Sequence, residues 1–333
     1  MPALGLQARL FTDVNQISSL RHEWDDLFRR CPGATTFQRP QWILSWFHVF
    51  RPARPFVVAV WHESLLVGLA PLLIYNRDSQ SVLAFAGGGV SDYLDVLIDP
   101  AHASEVWDAI LEAIGSHRRS WDRVELTDLP QASIALQKNR TFHLEIHDTC
   151  PVLELPSSVG LMGSVIPAHK LRNYRNARRR LGEAGPFRIE IATAANLEES
   201  LSTLFRLHSD RWNRAGHRGV LLQDEVRRFH HEIAPQLVAA GILRLYLLRL
   251  NDTTLATLYA FFEHDVVYCY LQGFDPEYSK LSPGTFILGA VIEDAIRHRA
   301  GKIDFLRGRE SYKYSWGAHD HPTYCLTQRP DSA

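Results

Sequence analysis

The chain states the same order of local patterns twice, and that repetition constrains its fold more than any other feature. In the first half a strand-like run at Leu6–Phe11 precedes a helix over Ile17–Arg30, where Leu20, Trp24, Leu27 and Phe28 recur at helical spacing. "TTFQRPQWILSWFHVF" reads as a turn and an aromatic helix, with Trp42, Trp46 and Phe50 on one face. Two strands follow, "FVVAVWHE" and "LLVGLAPLLIY", parted by a polar turn at Glu63 and Ser64. "GGGVSDYLDVLIDP" gives a glycine-rich bend and a strand, and a helix over Ala103–Ser116 and the strand "DRVELTDL" close the pattern. The second half runs through helices at Leu197–Arg214 and Asp224–Ala239, then "ILRLYLLRL", "TTLATLYAFFEH" and "VVYCYLQGF", the helix "GTFILGAVIEDAIRHR" and the strand "KIDFL". Aligning the closing helix and strand of each half places Trp107 on Phe286 and Arg123 on Lys302 at one common offset. A duplicated α/β unit accounts for that.

The expected fold class is therefore α/β of the mixed α+β kind: tandem domains, each a mixed twisted sheet flanked by helices. The expected boundaries are 1–155 for the first domain, a linker at 156–164, and 165–333 for the second. The Pro, Ser and Gly of "ELPSSVGLMGS" carry the linker reading. A length of 333 residues suits two cores better than one. Charge narrows the partners. The 36 Lys and Arg balance 37 Asp and Glu, so the average charge points to no nucleic-acid or membrane partner, and recognition of charge must be local. Cys31, Cys150, Cys269 and Cys325 form no CxxC pair, which fits a reducing cytoplasm. "MPALGLQARLF" lacks a signal-peptide layout and no apolar run approaches a membrane span, so a cytoplasmic protein without a membrane span is expected. The histidines of "HH" at 230–231 and "HDH" at 319–321 lack three well-spaced ligands, and no metal is expected.

Two features point to an anion. "HKLRNYRNARRRLGEAG", residues 169–185, is a basic helix whose Leu171, Tyr174, Ala177 and Leu181 share one face while Arg172, Arg175 and Arg179 share another. Arginines in such a row bind phosphates bidentately, or they form a solvated face paired with carboxylates elsewhere. In "YSKLSPGTFILGA", Ser282 suits an N-cap and Pro283 the first helical position. Gly284 and Thr285 then offer backbone N–H groups at a positive helix end, with Lys280 as a counter-charge. The alternative is a well-made helix start.

The last cluster, "IDFLRGRESYKYSWGA" at 303–318, concentrates charge and large aromatics. With "YSKLSPG" at 278–284 and the basic helix, it resembles the GNAT acyltransferases, more specifically the CelD-like branch found near cellulose-biosynthesis genes; "TTFQRPQWILSWF" adds a weaker likeness in the first half. More distantly, the paired domains and "YKYSWGA" are similar to the Fem aminoacyl transferases. Two departures are plain. The usual pyrophosphate loop, Gln/Arg-x-x-Gly-x-Gly/Ala, is here Lys280 to Thr285 with one glycine, and the long helical arm of Fem proteins has no room between Ala168 and Phe187.

The resemblance implies tandem GNAT-like domains and direct acyl transfer from acyl-CoA, or from an acyl carrier protein, to an amine or hydroxyl of a small-molecule, saccharide or amino-acid acceptor. Such transfer needs a base, a polarised carbonyl and an acid for the leaving thiolate. Glu310 is the candidate base, Tyr312 or Tyr314 the acid, and Lys313 the partner of an anion or oxyanion; Asp304 acts as base or orients Lys313. Donor contacts are expected from Arg172, Arg175, Arg179, Lys280, Ser282, Gly284 and Thr285. Asp92 and Tyr93 of the glycine-rich bend, Arg211 and Trp212 at a helix end, and Trp316 are the candidate acceptor contacts. Two rivals stand beside this reading: an aminoacyl-tRNA-dependent transferase, tRNA being the one nucleic acid left open, and a non-catalytic partner in polysaccharide synthesis.

Overall fold

The computed structural model describes residues 5–214, 221 and 223–328, the side chains of 210–214 excepted. It divides into two compact units. Unit 1 comprises residues to Asp148 with those from Pro322, and unit 2 is Thr149–His321. Each is a mixed sheet flanked by helices.

In unit 1 the strands are β1 (Leu6–Phe11), β2 (Pro55–His62), β3 (Leu65–Arg77), β4 (Gln80–Phe85), β5 (Leu97–Ile98) and β6 (Arg123–Pro130). They run β1-β2-β3-β4-β6, with β5 on β3 and the chain's final strand, His319–Gln328, antiparallel to β6 from Thr323. The pair β4–β6 is parallel, through Val82–Arg123 and Leu83–Val124. The helices are α1 (Val14–Ser19), α2 (Arg21–Arg30), α3 (Pro40–Phe50), α4 (Ala103–Ser116) and the short α5 (Ile134–Gln137). The single helix expected over Ile17–Arg30 is two: Asp13 caps α1 through the N–H groups of Asn15 and Gln16, and α1 ends at Leu20, where α2 begins.

Unit 2 repeats the order. Its strands are β7 (His143–Glu154, in unit 2 from Thr149), β8 (Phe187–Ile191), β9 (Leu243–Leu250), β10 (Thr253–Glu263), β11 (Val266–Phe274) and β12 (Lys302–Asp304); the final strand is β13. They run β8-β9-β10-β11-β12-β7, with β11–β12 parallel and β12–β7 antiparallel. The helices are α6 (Ala168–Ala184), α7 (Leu197–Arg214), α8 (Asp224–Ala239), α9 (Pro283–Arg297) and α10 (Ser311–Ser315). The stretch 156–164, expected as a linker, lies inside unit 2, and Val159–Ser164 is a 3-10 helix.

One contact fixes the frame of the site. α6 buries Leu171, Tyr174, Ala177 and Leu181, the face expected from spacing, and Gly185 ends it at φ 148°. Tyr174 stacks on Phe286 of α9 at 5.6 Å, meets Trp316 edge-on at 6.3 Å, and its hydroxyl donates to Glu293 at 3.0 Å. This close approach needs Gly289, since a Cβ there would lie 2.4 Å from the Tyr174 ring. Among the described residues no helix is long and apolar enough to cross a membrane. Nor do three or more His, Cys, Asp or Glu gather as a metal site.

Candidate active site

The parallel strands β11 and β12 stay paired only over Val266–Tyr268; β12 ends at Asp304 while β11 runs on to Phe274. Beyond that point the sheet opens at the carboxyl ends of two parallel strands, where α/β sheets hold their ligands. A β-bulge marks the opening: Leu271 pairs with Tyr259 and Cys269 with Ala260, leaving Tyr270 as the extra residue. A cavity of about 250 Å³ fills this notch. Gln272 and Phe274 of β11, Ser282 to Thr285 at the start of α9, Tyr312 and Trp316 line it, and Lys170 reaches it from the first turn of α6.

The start of α9 differs from the expectation in one respect. Ser282 holds the N-cap position in the left-handed region (φ 56°, ψ 50°), and its side chain makes no capping bond. Its hydroxyl instead accepts from Arg180 Nη2 at 2.9 Å. Pro283 sits in the first turn as expected. The Thr285 N–H is spent on the Ser282 carbonyl at 3.1 Å, so of the two expected donors only Gly284 N–H lacks a backbone acceptor among the described residues. Gln272 Nε2 braces the turn by donating to Gly284 O at 2.9 Å. Lys280 is exposed and is not among the lining residues.

The 303–318 cluster is brought to the same place, but with different roles. Lys313 is 2% exposed. Its ammonium donates to the carbonyls of Leu306, Arg307 and Gly308 at 2.9, 2.7 and 3.0 Å and lies 2.9 Å from Glu310 Oε2. An ammonium has three protons, and three carbonyls take them, so Lys313 has no proton left for an anion or oxyanion. It clamps the loop, and Glu310 is its counter-ion rather than a free base. Glu310 Oε2 makes no well-aligned hydrogen bond, so this contact is charge against charge. Asp304 is buried, and its Oδ1 accepts the Leu306 N–H at 2.8 Å, holding Leu306 at the strained φ of 58°. Asp304 thus shapes the turn. Of the residues expected to be catalytic, only Tyr312 lines the cavity. The Tyr314 hydroxyl donates to Asp320 at 2.6 Å, and burial together with that bond raises its pKa to about 12.

The other expected contacts scatter. Trp316 lines the cavity as a fully buried ring. Arg172, Arg175 and Arg179 lie on the exposed face of α6, Arg179 pairing with Glu183 at 3.1 Å. Asp92 and Tyr93 belong to unit 1, where Tyr93 is buried and its carbonyl accepts from Gln38 Nε2. The side chains of Arg211 and Trp212 lie outside the described residues. Sequence reasoning missed Lys170, Arg180 and Gln272. Lys170 was legible: it stands four residues before Tyr174, in line with the buried stripe of α6. A larger groove in unit 1, about 680 Å³, holds Arg77, Arg123 and Glu125, but both arginines pair with Glu125.

Comparison with known proteins relates this segment to a known family model and the fold to solved structures. Residues 168–314 match the family model described as an acetyltransferase (GNAT) domain, running from the first residue of α6 into α10 and so containing every residue that lines the cavity save Trp316. Over both units the fold is similar to the crystal structure of FemX, with 13% identity, 95% of this chain and 96% of that chain covered, and a TM-score of 0.69. It is also similar to the C-terminal domain (DUF2156) of a putative lysylphosphatidylglycerol synthetase from Agrobacterium fabrum, at 10% identity, TM-score 0.56 and 96% and 93% coverage. L-PGS from Bacillus licheniformis matches at 10% identity, TM-score 0.58 and the same coverage. At such identities these likenesses establish the fold. No curated protein matches the sequence.

Proposed function

We propose that unit 2 is an acyltransferase whose donor enters the notch beyond β11 and β12, with an acyl-CoA thioester as donor and an amine or hydroxyl as acceptor. The observation that carries this reading is the convergence, within the GNAT-matching segment, of the α9 start, Tyr312 and Trp316 on one cavity at the carboxyl ends of two parallel strands. In the reaction the acceptor's lone pair attacks the thioester carbonyl carbon, the C–S bond breaks as the new C–N or C–O bond is made, the thiolate takes a proton from an acid, and the acceptor's own proton replaces it on that acid. Tyr312 is the hydroxyl placed to supply that proton. The likeness of 278–284 and 303–318 to CelD-like proteins favours a saccharide acceptor, and an acyl carrier protein is the alternative thioester source.

The test is release of free CoA thiol from acetyl-CoA and longer acyl-CoAs across a panel of amine and sugar acceptors, with melting temperatures read alongside. Turnover that falls about 100-fold in Tyr312→Phe supports the reading. No shift and no thiol release with any acyl-CoA would sink it. A second reading, an aminoacyl-tRNA donor, is favoured by the exposed arginine row of α6 and by the whole-chain likeness to FemX. RNA affinity that falls steeply with salt would be its sign.

A further inference from the structure

We propose that Lys170 is the charge that holds the ligand in this cavity, by pairing with a phosphoryl anion that the ligand carries. The proposal rests on the reading above for the location of the donor, but it concerns a residue of the basic helix that the sequence did not single out as a donor contact. Lys170 is 8% exposed and lines the cavity. Its Nζ lies 4.8 Å from the centroid of the Trp316 ring, and among the described residues no carboxylate pairs with it and no hydrogen bond engages its ammonium. A ring face offsets only part of the cost of drying an ammonium.

The same unit contains the control. Lys313 is buried too, and there the fold supplies three carbonyls and a carboxylate. Where a buried lysine serves the structure, this chain satisfies it; at Lys170 it leaves the charge facing a cavity. The neighbouring cation repeats the theme. Arg180 meets the Ser282 hydroxyl, and its Nε is buried without a hydrogen-bond partner. On the other wall stand the Gly284 N–H and the positive end of the fifteen-residue α9. Lys170 is the one charged side chain among the described lining residues, and what completes it is an anion with several acceptor oxygens, a phosphate or diphosphate. Burial lowers the pKa of Lys170, the response of an ammonium whose counter-ion is missing.

The experiment uses the full chain and inorganic pyrophosphate, followed by calorimetry and by Trp fluorescence, with Lys170→Met and Lys170→Arg beside the parent. We expect the parent to bind pyrophosphate, Lys170→Met to lose affinity by about tenfold or more, and Lys170→Arg to retain most of it. Unliganded Lys170→Met should melt higher than the parent, because an apolar chain replaces an uncompensated charge. Pyrophosphate affinity unchanged in Lys170→Met, or no pyrophosphate binding by the parent, would overturn the proposal. So would a Lys170→Met protein that melts lower with its affinity intact, which would make the lysine structural. Repeating the titration with CoA separates the two readings: Lys170-dependent pyrophosphate binding without CoA binding keeps the anion site and discards the CoA donor.

Discussion

In unit 1 the notch beyond the parallel pair β4–β6 is filled by the chain itself. The segment after β4 turns through Gly87 to Gly89 and runs back along β6, the Leu94 N–H donating to Asp128 O at 3.1 Å. Val90, Tyr93 and Leu94 are buried in it. In unit 2 the equivalent segment after β11 is a short 3-10 turn, Pro276–Leu281, and the notch stays open as a cavity. The helix starts differ in the same sense. Ahead of α4, Asp99 takes Arg30 Nε at 2.8 Å and the Ala101 N–H at 3.0 Å, so the anion is supplied from within. At the start of α9 the cation Arg180 meets only a hydroxyl among the described residues. One strand order has thus been closed in one unit and left incomplete in the other, and the incompleteness is what marks the candidate site.

The largest expected effect breaks the clamp that shapes the open notch. Lys313→Met strands one buried and two half-buried carbonyls, and should lower stability in urea by about 3 kcal/mol while abolishing turnover. A loss under about 1 kcal/mol would mean that the loop carries itself. The counterpart in unit 1 is Tyr93→Ala, which hollows the plug. It should cost about 2 to 3 kcal/mol and leave pyrophosphate affinity unchanged, because the residue is packing in a closed notch. Affinity falling together with stability would show that the plug is part of the ligand site after all.

The units also differ in their response to pH. Burial raises Asp95, beside the unit 1 plug, from the ordinary carboxylate value of 3.8 to about 7 against hydrogen bonds from Ser133 and Val96 N–H. The folded state then holds the proton more tightly than the unfolded one. Its contribution is complete below 3.8 and is lost as pH rises to about 7. In unit 2, burial drops His230 from 6.5 to about 3, with His231 and His208 adding repulsion. There the unfolded state binds the proton better, so stability is complete above 6.5 and falls as the pH drops toward 3. Asp95→Asn should flatten the loss on the rising side and His230→Phe the loss on the acid side, both read from urea midpoints at fixed pH. If one variant flattened both limbs, the two units would not titrate separately.

Gly284→Val sharpens the contrast at lower cost. A Cβ there meets Phe274 Cδ1 at 3.2 Å and Gln272 Nε2 at 3.4 Å, which those side chains can absorb by small shifts. Stability should change by less than about 1 kcal/mol, whereas pyrophosphate affinity should fall about tenfold because the branched chain enters the cavity. Equal affinity would remove the α9 start from the site.

How far the sequence reaches follows from the kind of signal each residue leaves. The repeated order, the long helices and the apolar face of α6 were legible, because periodicity is local and burial enforces it. β4, β7, β8 and β13 were not. β7 begins with exposed residues, Leu144 and Ile146 among them, and β13 reads "HDHPTYCLTQ", so both owe their strand form to a neighbour's edge rather than to their own alternation. The site divides in the same way. Gly284, Tyr312 and Trp316 lie on the cavity because a helix start and an aromatic cluster are chemical signals in themselves. Lys313 has the composition of a catalytic lysine and the bonding of a structural one, and only the three carbonyls around it separate the two.

The exposed arginines of α6 give the smallest effect. Arg172, Arg175 and Arg179 fall on the solvent face, and the single ion pair among them, Arg179 with Glu183, is about two-thirds exposed on both sides (67% and 61%). Such a pair adds little to stability. The triple change to alanine should therefore move the urea midpoint by under about 0.5 kcal/mol and pyrophosphate affinity by less than about twofold, since these side chains point away from the cavity. What the triple variant can change is affinity for a polyanion too large to enter. If RNA binding is present in the parent and loses about one unit of salt slope for each arginine removed, the row is a phosphate-tracking surface and the aminoacyl-tRNA reading gains the donor. If RNA affinity is absent or indifferent to the change, the row is a solvated face, and the charges that matter on this helix are the buried Lys170 and the half-buried Arg180.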